Sequence, residues 1–206
     1  MTLATWLTVV TICILGAMSP GPSLALVLKQ TLTGGRRNGI ITALSHGIGV
    51  GIYAFLSILG LAAIITASPT AFSILQWGGA LYLAWLGVKG LMAKRQADDE
   101  LPEPPTTKSA ARDGFLIAFF NPKIAVFFLA LFSQVVGTDT SLMAKFGYAA
   151  TALVIDTSWY LIVAWLFSNP KWLTLLRQKA VWFERIFGAI LLGLAGRLVV
   201  GILNGK

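Results

Sequence analysis

The sequence predicts an all-α integral membrane protein in which six transmembrane helices form two inverted three-helix repeats. Hydrophobic residues make up 56% of the chain and charged residues only 12%, whereas a soluble domain carries about 25% charged residues. Long uncharged stretches recur, and about 20 apolar residues are enough to cross the hydrocarbon core. Similar motifs occur in both halves, and because each half has three spans, the second copy must be inverted.

The first predicted span runs from Leu3 to Leu28 and contains Ser19-Pro20-Gly21-Pro22. Prolines lack the N–H group that a helix interior needs, so this motif breaks the helix inside the bilayer. Pro22 suits the first position of a restarted helix, whose free N–H groups at Ser23 and beyond form a positive dipole end. The motif therefore predicts an anion site, and a simple proline kink is the alternative.

Five further spans are predicted after a short basic connection from Lys29 to Asn38. Ala67-Ser68-Pro69 reads as a tight turn, and the polar stretch from Lys94 to Arg112 as an extended loop between the two halves. Repeat one then covers residues 1–93, the cytoplasmic loop residues 94–112 and repeat two residues 113–206, within one transporter domain. The later spans are predicted at residues 39–66, 69–91, 115–136, 146–167 and 181–202.

Matched motifs support the internal repeat. Residues 79–87 in span three and residues 188–196 in span six share Gly, Ala, Leu and Gly at equivalent positions. Pro22 and Pro122 also correspond, and Asn121-Pro122 is a strong signal for a helix start inside span four. Lys123 follows directly. Its charge either faces the interior near these N–H groups or extends toward the cytoplasmic surface.

Asp156 is the only acid well inside a predicted span, where a charge costs roughly 2.5–3.5 kcal/mol. It is therefore either protonated much of the time or paired with a cation such as Lys123. Tyr160, one turn on, could orient the carboxyl group. The alternative is a static ion pair with no transport role.

His46 lies in span two, with Tyr53 two turns later on the same face. At the repeat offset of 109 residues, His46 falls beside Asp156, so the symmetry would bring both to one central site. A structural, hydrogen-bonded histidine is the alternative. The small residues of this span form a stripe that lets another helix approach closely, and they are Ala43, Gly47 and Gly51.

The charges predict the orientation in the membrane. Twelve Lys and Arg residues fall in the loops after spans one, three and five, against three on the other side. Both termini should therefore lie outside the cytoplasm. The net charge of +8 indicates attraction to anionic lipid headgroups and no nucleic-acid partner, because the cations are spread over three loops.

Several function classes are excluded by composition. One cysteine and one histidine cannot build a zinc site without several carboxylates, so no metal is expected. An aspartyl protease needs two buried carboxylates, and the serines and the histidine are scattered along the chain, so no enzyme is expected. A membrane scaffold without a ligand would leave Asp156 and Lys123 unexplained.

Four motifs together resemble the lysine-exporter (LysE/RhtB) family of bacterial amino-acid exporters. They are Ser19-Pro20-Gly21-Pro22, Gly35-Arg36-x-x-Gly39, the glycine-rich segment from His46 to Tyr53, and Asn121-Pro122-Lys123. The resemblance covers nearly the whole chain and implies a six-span inner-membrane exporter of amino acids or close derivatives, driven by proton exchange without a bound cofactor. The functional positions that it implies are Pro20, Gly21, Pro22, Asn121, Pro122, Lys123 and Asp156.

Two departures from the family pattern concern coupling and substrate. Many members carry an acid after the glycine-rich part of span two, where the titratable group here is His46. A proline often follows the phenylalanine-rich part of span four, where this chain has Ser133-Gln134.

The expected mechanism is secondary transport within the lipid bilayer, by a monomer or a homo-oligomer. The substrate carboxylate would bind at the half-helix N-termini near Ser23 and Lys123, and its ammonium group would meet ionised Asp156. A proton binding at Asp156 would then release the substrate. An uncoupled channel or facilitator for small zwitterions is the alternative.

Overall fold

The structure, a computed structural model, describes residues 3–19, 21–93, 107–137 and 139–203. Regular structure in these ranges is α-helical throughout and includes no strand, which confirms the all-α prediction. The helices are α1 (Leu3–Ala17), α2 (Pro22–Ala67), α3 (Pro69–Leu91), α4 (Thr107–Phe119), α5 (Pro122–Phe132), α6 (Leu142–Leu166) and α7 (Pro170–Leu203).

The predicted break in the first span is present between α1 and α2. Gly21 is the N-cap of α2 in extended backbone, and Pro22 is the first helical residue. Gly21 supplies no side-chain cap, and the first N–H groups of a helix have no acceptor within the helix. A positive helix end therefore lies at this break. Pro20 lies outside the described residues.

The long helix α2 is a hairpin that turns at Gly35. The backbone of Gly35 is left-handed, at φ 77° and ψ 171°, a conformation that glycine adopts at little cost. A straight helix would place Thr31 about 12 Å from Gly39 at 1.5 Å per residue. Instead, a Cβ added to Gly39 would overlap Thr31 Oγ1. Residues 22–34 (α2a) and residues 36–67 (α2b) are therefore two antiparallel helices.

Three predicted helix boundaries are wrong because the helices extend into polar segments of the chain. The connection from Lys29 to Asn38 is helical on both sides of Gly35, and α4 begins at Thr107, within the predicted extended loop. α7 begins at Pro170, three turns before the predicted span. Hydropathy marks the apolar part of a helix, whereas Lys, Arg and Gln are good helix formers that continue it beyond that part. Residues 94–106 of the predicted loop lie outside the described residues.

The predicted helix starts at Pro69 and Pro122 are confirmed. Ser68 Oγ accepts a hydrogen bond from the backbone N–H of Ala71 at 3.2 Å and caps α3. Asn121 Oδ1 accepts from the backbone N–H of Lys123 at 3.0 Å and caps α5. α4 and α5 are bent by 47° at this second break.

The chain is a multi-pass membrane protein. By length and apolar composition, three helical segments can cross a membrane, and they are Pro22–Ile64 (which contains the turn at Gly35), Thr70–Leu91 and Leu142–Leu166. The bent pair α4 and α5 would make a fourth span. Two shorter apolar helices, Leu3–Ala17 and Gly188–Leu203, also lie in the described ranges.

Small residues set the closest helix contacts. A Cβ added to Gly47 would overlap Thr157 Oγ1, and one added to Gly51 would lie 2.5 Å from Leu153 Cδ1, so the predicted small-residue stripe packs directly on α6. α3 and α7 meet equally closely, because a Cβ on Gly188 would lie 2.5 Å from the carbonyl oxygen of Gly87. The contact between α2b and α6 brings the two halves of the chain together.

Candidate functional site: a cavity between two helix breaks

A cavity of about 60 Å³ lies where the two helix breaks meet. Since one water site needs about 10–15 Å³, the cavity has room for on the order of four or five water molecules. Its polar lining comes from both breaks and from α2b and α6. The polar lining residues are Ser19, Ser23, His46, Asn121, Lys123, Asp156 and Tyr160, together with Gly21 and Pro22 at the first break.

His46 and Asp156 form a buried acid–imidazole pair at the centre of this cavity. His46 Nδ1 lies 2.7 Å from Asp156 Oδ2, with His46 fully buried and Asp156 8% exposed. The predicted proximity of these two residues is confirmed. The sequence offered Lys123 as the cation for Asp156, and the structure places His46 at ion-pair distance from this acid.

Ser23 connects this pair to the second break. His46 Nε2 lies 2.9 Å from Ser23 Oγ, and Asn121 Nδ2 donates to the same oxygen at 3.3 Å. Both Ser23 and Asn121 are 5% exposed. A continuous chain of hydrogen bonds therefore runs from Asp156 on α6 to the N-cap of α5.

Lys123 extends from the second break across to the first. Its Nζ donates a hydrogen bond to Ser19 Oγ. A Cβ added to Gly21 would lie 3.1 Å from Lys123 Nζ and 3.6 Å from its Cδ. The glycine thus leaves room for the lysine side chain beside the N-terminus of α2a, so the positive charge and the positive helix end face the same cavity.

The remaining predicted site residues occupy different places. The ring of Tyr160 meets His46 edge-on, with 4.9 Å between centroids and 73° between planes. Tyr53 does not line the cavity; its ring packs against Phe119 at 5.7 Å. Pro122 begins α5 with its side chain exposed, and Pro20 lies outside the described residues. Their functional roles remain predictions.

Three residues that are scattered along the sequence meet in the structure. Ser23, His46 and Asp156 stand in the order of a nucleophile, a base and an orienting acid. They are distant in sequence and meet only because α2 turns at Gly35 and α2b packs on α6. No short sequence motif links them. Among the described residues, His, Cys, Asp and Glu side chains form no group of three that could hold a metal ion.

Comparison with known proteins identifies the family. The model of the family described as LysE type translocator matches residues 14–201, which is most of the chain. This chain is a member of the LysE-type translocator family. The two helix breaks and the cavity between them therefore belong to a membrane transporter.

Named relatives of this LysE-type translocator include amino-acid efflux proteins. The threonine efflux protein of Escherichia coli (strain K12) is 29% identical over 200 residues, which cover 95% of this chain and 97% of that protein. The leucine efflux protein of Enterobacter sp. (strain 638) is 30% identical over 187 residues, which cover 87% of each chain. No solved structure matches this chain significantly.

Proposed function

We propose that this protein exports amino acids across the bacterial inner membrane in exchange for protons. The observation that carries the proposal is the buried pair of His46 and Asp156 in a cavity that two helix starts also face. Burying ionisable groups within a membrane protein is costly, and such groups commonly serve ion or substrate pathways. The threonine and leucine efflux relatives support amino acids as the substrate class.

The proposal includes six spans arranged as two inverted repeats. α1 with α2a forms one broken span and α4 with α5 the other, while α2b, α3, α6 and α7 complete the set. Contacts between equivalent helices support this arrangement, since α2b packs on α6 and α3 on α7. His46 and Asp156 occupy nearly equivalent positions in the two halves and meet at the centre. Residues 1–93 and 113–206 would be the two repeats.

A zwitterionic amino acid fits the charges in this cavity. Its carboxylate would bind at the N-terminus of α2a beside Lys123, where N–H groups and a cation both favour an anion. Its ammonium group would bind Asp156 from the side away from His46. Both ends of the substrate would then meet opposite charge, which offsets the cost of removing them from water.

Proton exchange follows from the charge of the acid–imidazole pair. With neutral His46 and ionised Asp156 the pair carries one negative charge, which attracts the substrate ammonium. One added proton makes the pair neutral as imidazolium and carboxylate. Because proton and ammonium compete for the same charge, binding of one releases the other. Each amino acid that leaves would be exchanged for one proton that enters.

Ser23 would transmit the protonation state to the second break. Beside a neutral imidazole that donates from Nδ1 to Asp156, the Ser23 hydroxyl donates to Nε2. Beside an imidazolium, Nε2 donates to Ser23 Oγ, and the hydroxyl proton turns toward the cavity. Asn121 donates to the same oxygen in both states. The reorientation of the Ser23 hydroxyl group would therefore act directly on the residue that caps α5.

A serine hydrolase is the second candidate, favoured by the distance of 2.9 Å between Ser23 Oγ and His46 Nε2. In that chemistry Ser23 would attack an ester carbonyl while His46 takes its proton and returns it to the leaving alcohol. Water would then release the acid from the acyl-enzyme. Labelling of Ser23 by a fluorophosphonate, with ester hydrolysis lost in Ser23→Ala, would support this candidate. Amino-acid exchange without such labelling would support the transporter.

The test of the proposed function is efflux from proteoliposomes loaded with labelled threonine or leucine. An acidic external medium should accelerate efflux from wild-type vesicles. Asp156→Asn, which keeps the shape of the acid but cannot ionise, should be as abundant as wild type and should lose the acceleration. Asp139→Asn, at an exposed acid, is the matched control. Efflux indifferent to the pH gradient would favour an uncoupled facilitator instead, and an Asp156→Asn protein that still responds to the gradient would exclude the coupling role.

A further inference from the structure

The cavity has an apolar end that the zwitterion does not use. α1 supplies Cys13, Gly16 and Ala17 to this end, and α5 supplies Ile124, Phe127 and Phe128. The polar lining groups come from the two breaks and from His46 on α2b and Asp156 on α6. An amino acid whose charged head group binds at the breaks would therefore direct its side chain toward the wall formed by α1 and α5.

Phe127 lies against Gly16 and closes this apolar end. A Cβ added to Gly16 would overlap Phe127 Cζ and would lie 2.7 Å from its Cε1. The ring thus occupies the space that a side chain at position 16 would fill. Phe127 packs against two clusters of buried apolar residues, one that includes Leu131 and one that includes Leu83. These contacts hold the ring in that place.

A second, smaller cavity lies beyond the same ring. It measures about 10 Å³ and is lined by Ile12, Leu83, Phe127, Leu131, Gln134 and Leu194. Phe127 is the residue that lines both cavities. Its ring is therefore the partition between the central cavity and this apolar space, and its removal would join the two.

In the proposed binding mode, the charged side chains of the central cavity all interact with the carboxylate and ammonium groups of the substrate. Among its lining residues, Lys123 is the amine and Asp156 the carboxylic acid, and His46 is paired with Asp156. Lys123 of α5 lies at the second break, and the apolar end formed by Cys13, Gly16, Ala17, Ile124, Phe127 and Phe128 contains no charged residue. A charged substrate side chain would therefore be buried there without a partner, which is strongly unfavourable.

We infer that the substrate carries an uncharged side chain and that Phe127 sets the largest side chain the site accepts. This inference rests on the proposed function and adds a selectivity residue to it. A change of one methylene in an apolar pocket alters discrimination by about 10–200-fold. Removing the whole ring should therefore shift the substrate preference by at least about tenfold.

The experiment measures uptake of labelled amino acids into proteoliposomes preloaded with one transported amino acid. Wild type, Phe127→Leu and Phe127→Ala are compared for alanine, threonine, leucine, phenylalanine, lysine and aspartate, with rates normalised to reconstituted protein. Phe120→Ala is the matched control, because Phe120 is 73% exposed and does not line the cavity. Phe127→Leu keeps an apolar side chain, so it provides a folded intermediate if Phe127→Ala is poorly reconstituted.

The expected result is that wild type exchanges the neutral amino acids and excludes lysine and aspartate. The rate ratio of phenylalanine to alanine should rise at least about tenfold in Phe127→Ala, with Phe127→Leu in between and Phe120→Ala unchanged. An unchanged ratio in both Phe127 variants would overturn the inference, as would lysine or aspartate exchange at the rate of the neutral amino acids; amino-acid transport would stand in either case. Absence of exchange for every amino acid in wild type would overturn the proposed function together with the inference.

Discussion

His46 Nδ1 lies 2.7 Å from Asp156 Oδ2, although the two residues are 110 positions apart in the chain. The imidazole of His46 is fully buried, and its other nitrogen meets Ser23. The acid that is most costly to place within the membrane therefore has a titratable partner within hydrogen-bond distance. Such a pair switches between neutral and singly negative when it gains or loses one proton, which is the property that the proposed exchange needs.

Single and double variants of His46 and Asp156 should differ in their abundance in the membrane. His46→Gln should leave Asp156 buried without its partner, which costs roughly 3–5 kcal/mol, so membrane abundance should fall. Asp156→Asn should retain abundance, and the double variant should recover it. Quantitative immunoblotting of membranes checks this. Normal abundance of His46→Gln alone would mean that another group satisfies Asp156.

The pH dependence of substrate affinity should have a definite sign. Protons and the substrate ammonium group compete for the negative charge of the pair, so affinity should fall as the pH falls. In a one-for-one competition, the apparent Kd rises with the proton concentration, because a protonated pair has no negative charge left for the ammonium group. Scintillation proximity binding between pH 5 and pH 9 measures it. Affinity that is flat over this range, or stronger at low pH, would contradict competition at this site.

Lys123→Met should weaken amino-acid binding through the carboxylate. A charge-assisted hydrogen bond contributes about 1.5–3 kcal/mol, so the apparent KM should rise on the order of 10- to 100-fold. Methyl esters of the same amino acids, which lack the carboxylate charge, should compete equally well against wild type and variant. Lys29→Met is the control, since Lys29 is exposed and away from the cavity. An unchanged KM in Lys123→Met would place the carboxylate elsewhere.

The packing of α3 on α7 gives a stability prediction with a control on the same helix. In Gly188→Ala the new Cβ would lie 2.5 Å from the carbonyl oxygen of Gly87 and 2.7 Å from the backbone nitrogen of Leu91. Backbone cannot move aside cheaply, so a loss of about 1–3 kcal/mol is expected. Gly193→Ala meets nothing within 4 Å and should be neutral or slightly stabilising. Thermal unfolding in detergent distinguishes them, and equal Tm values would argue against this helix contact.

Orientation can be tested with single cysteines on a Cys13→Ala background. Position 70 is at the start of α3 and position 139 is in the turn before α6, both expected outside the cytoplasm, and position 106 precedes α4 in the sequence. Thr70→Cys and Asp139→Cys should react with an impermeant thiol reagent added to intact cells, and Thr106→Cys should react only after lysis. The reverse pattern would place both termini in the cytoplasm.

The sequence by itself determined the class of the protein and the positions of its breaks. Apolar runs, two proline-containing motifs and Asn121 were enough to predict an all-α membrane protein with helix starts at Pro22 and Pro122. These signals are local, because a missing N–H group or a cap acts on the adjacent turn of helix. The polar ends of several helices were not predicted, because hydropathy identifies the apolar part of a helix and not the residue at which the helix ends.

The repeat offset predicted that His46 and Asp156 lie together, but only the tertiary structure showed that they pair directly and that Ser23 joins them. The sequence offered Lys123 as the partner of Asp156 and gave Ser23 no link to His46. The connection predicted from Lys29 to Asn38 is reduced in the structure to a turn at Gly35, and that turn places Ser23 against His46. The close approach of α2b to α6 at Gly47 then brings Asp156 within hydrogen-bond distance. Side-chain proximity over about a hundred residues depends on turn geometry and helix packing together, and neither is encoded at the positions of the residues that meet.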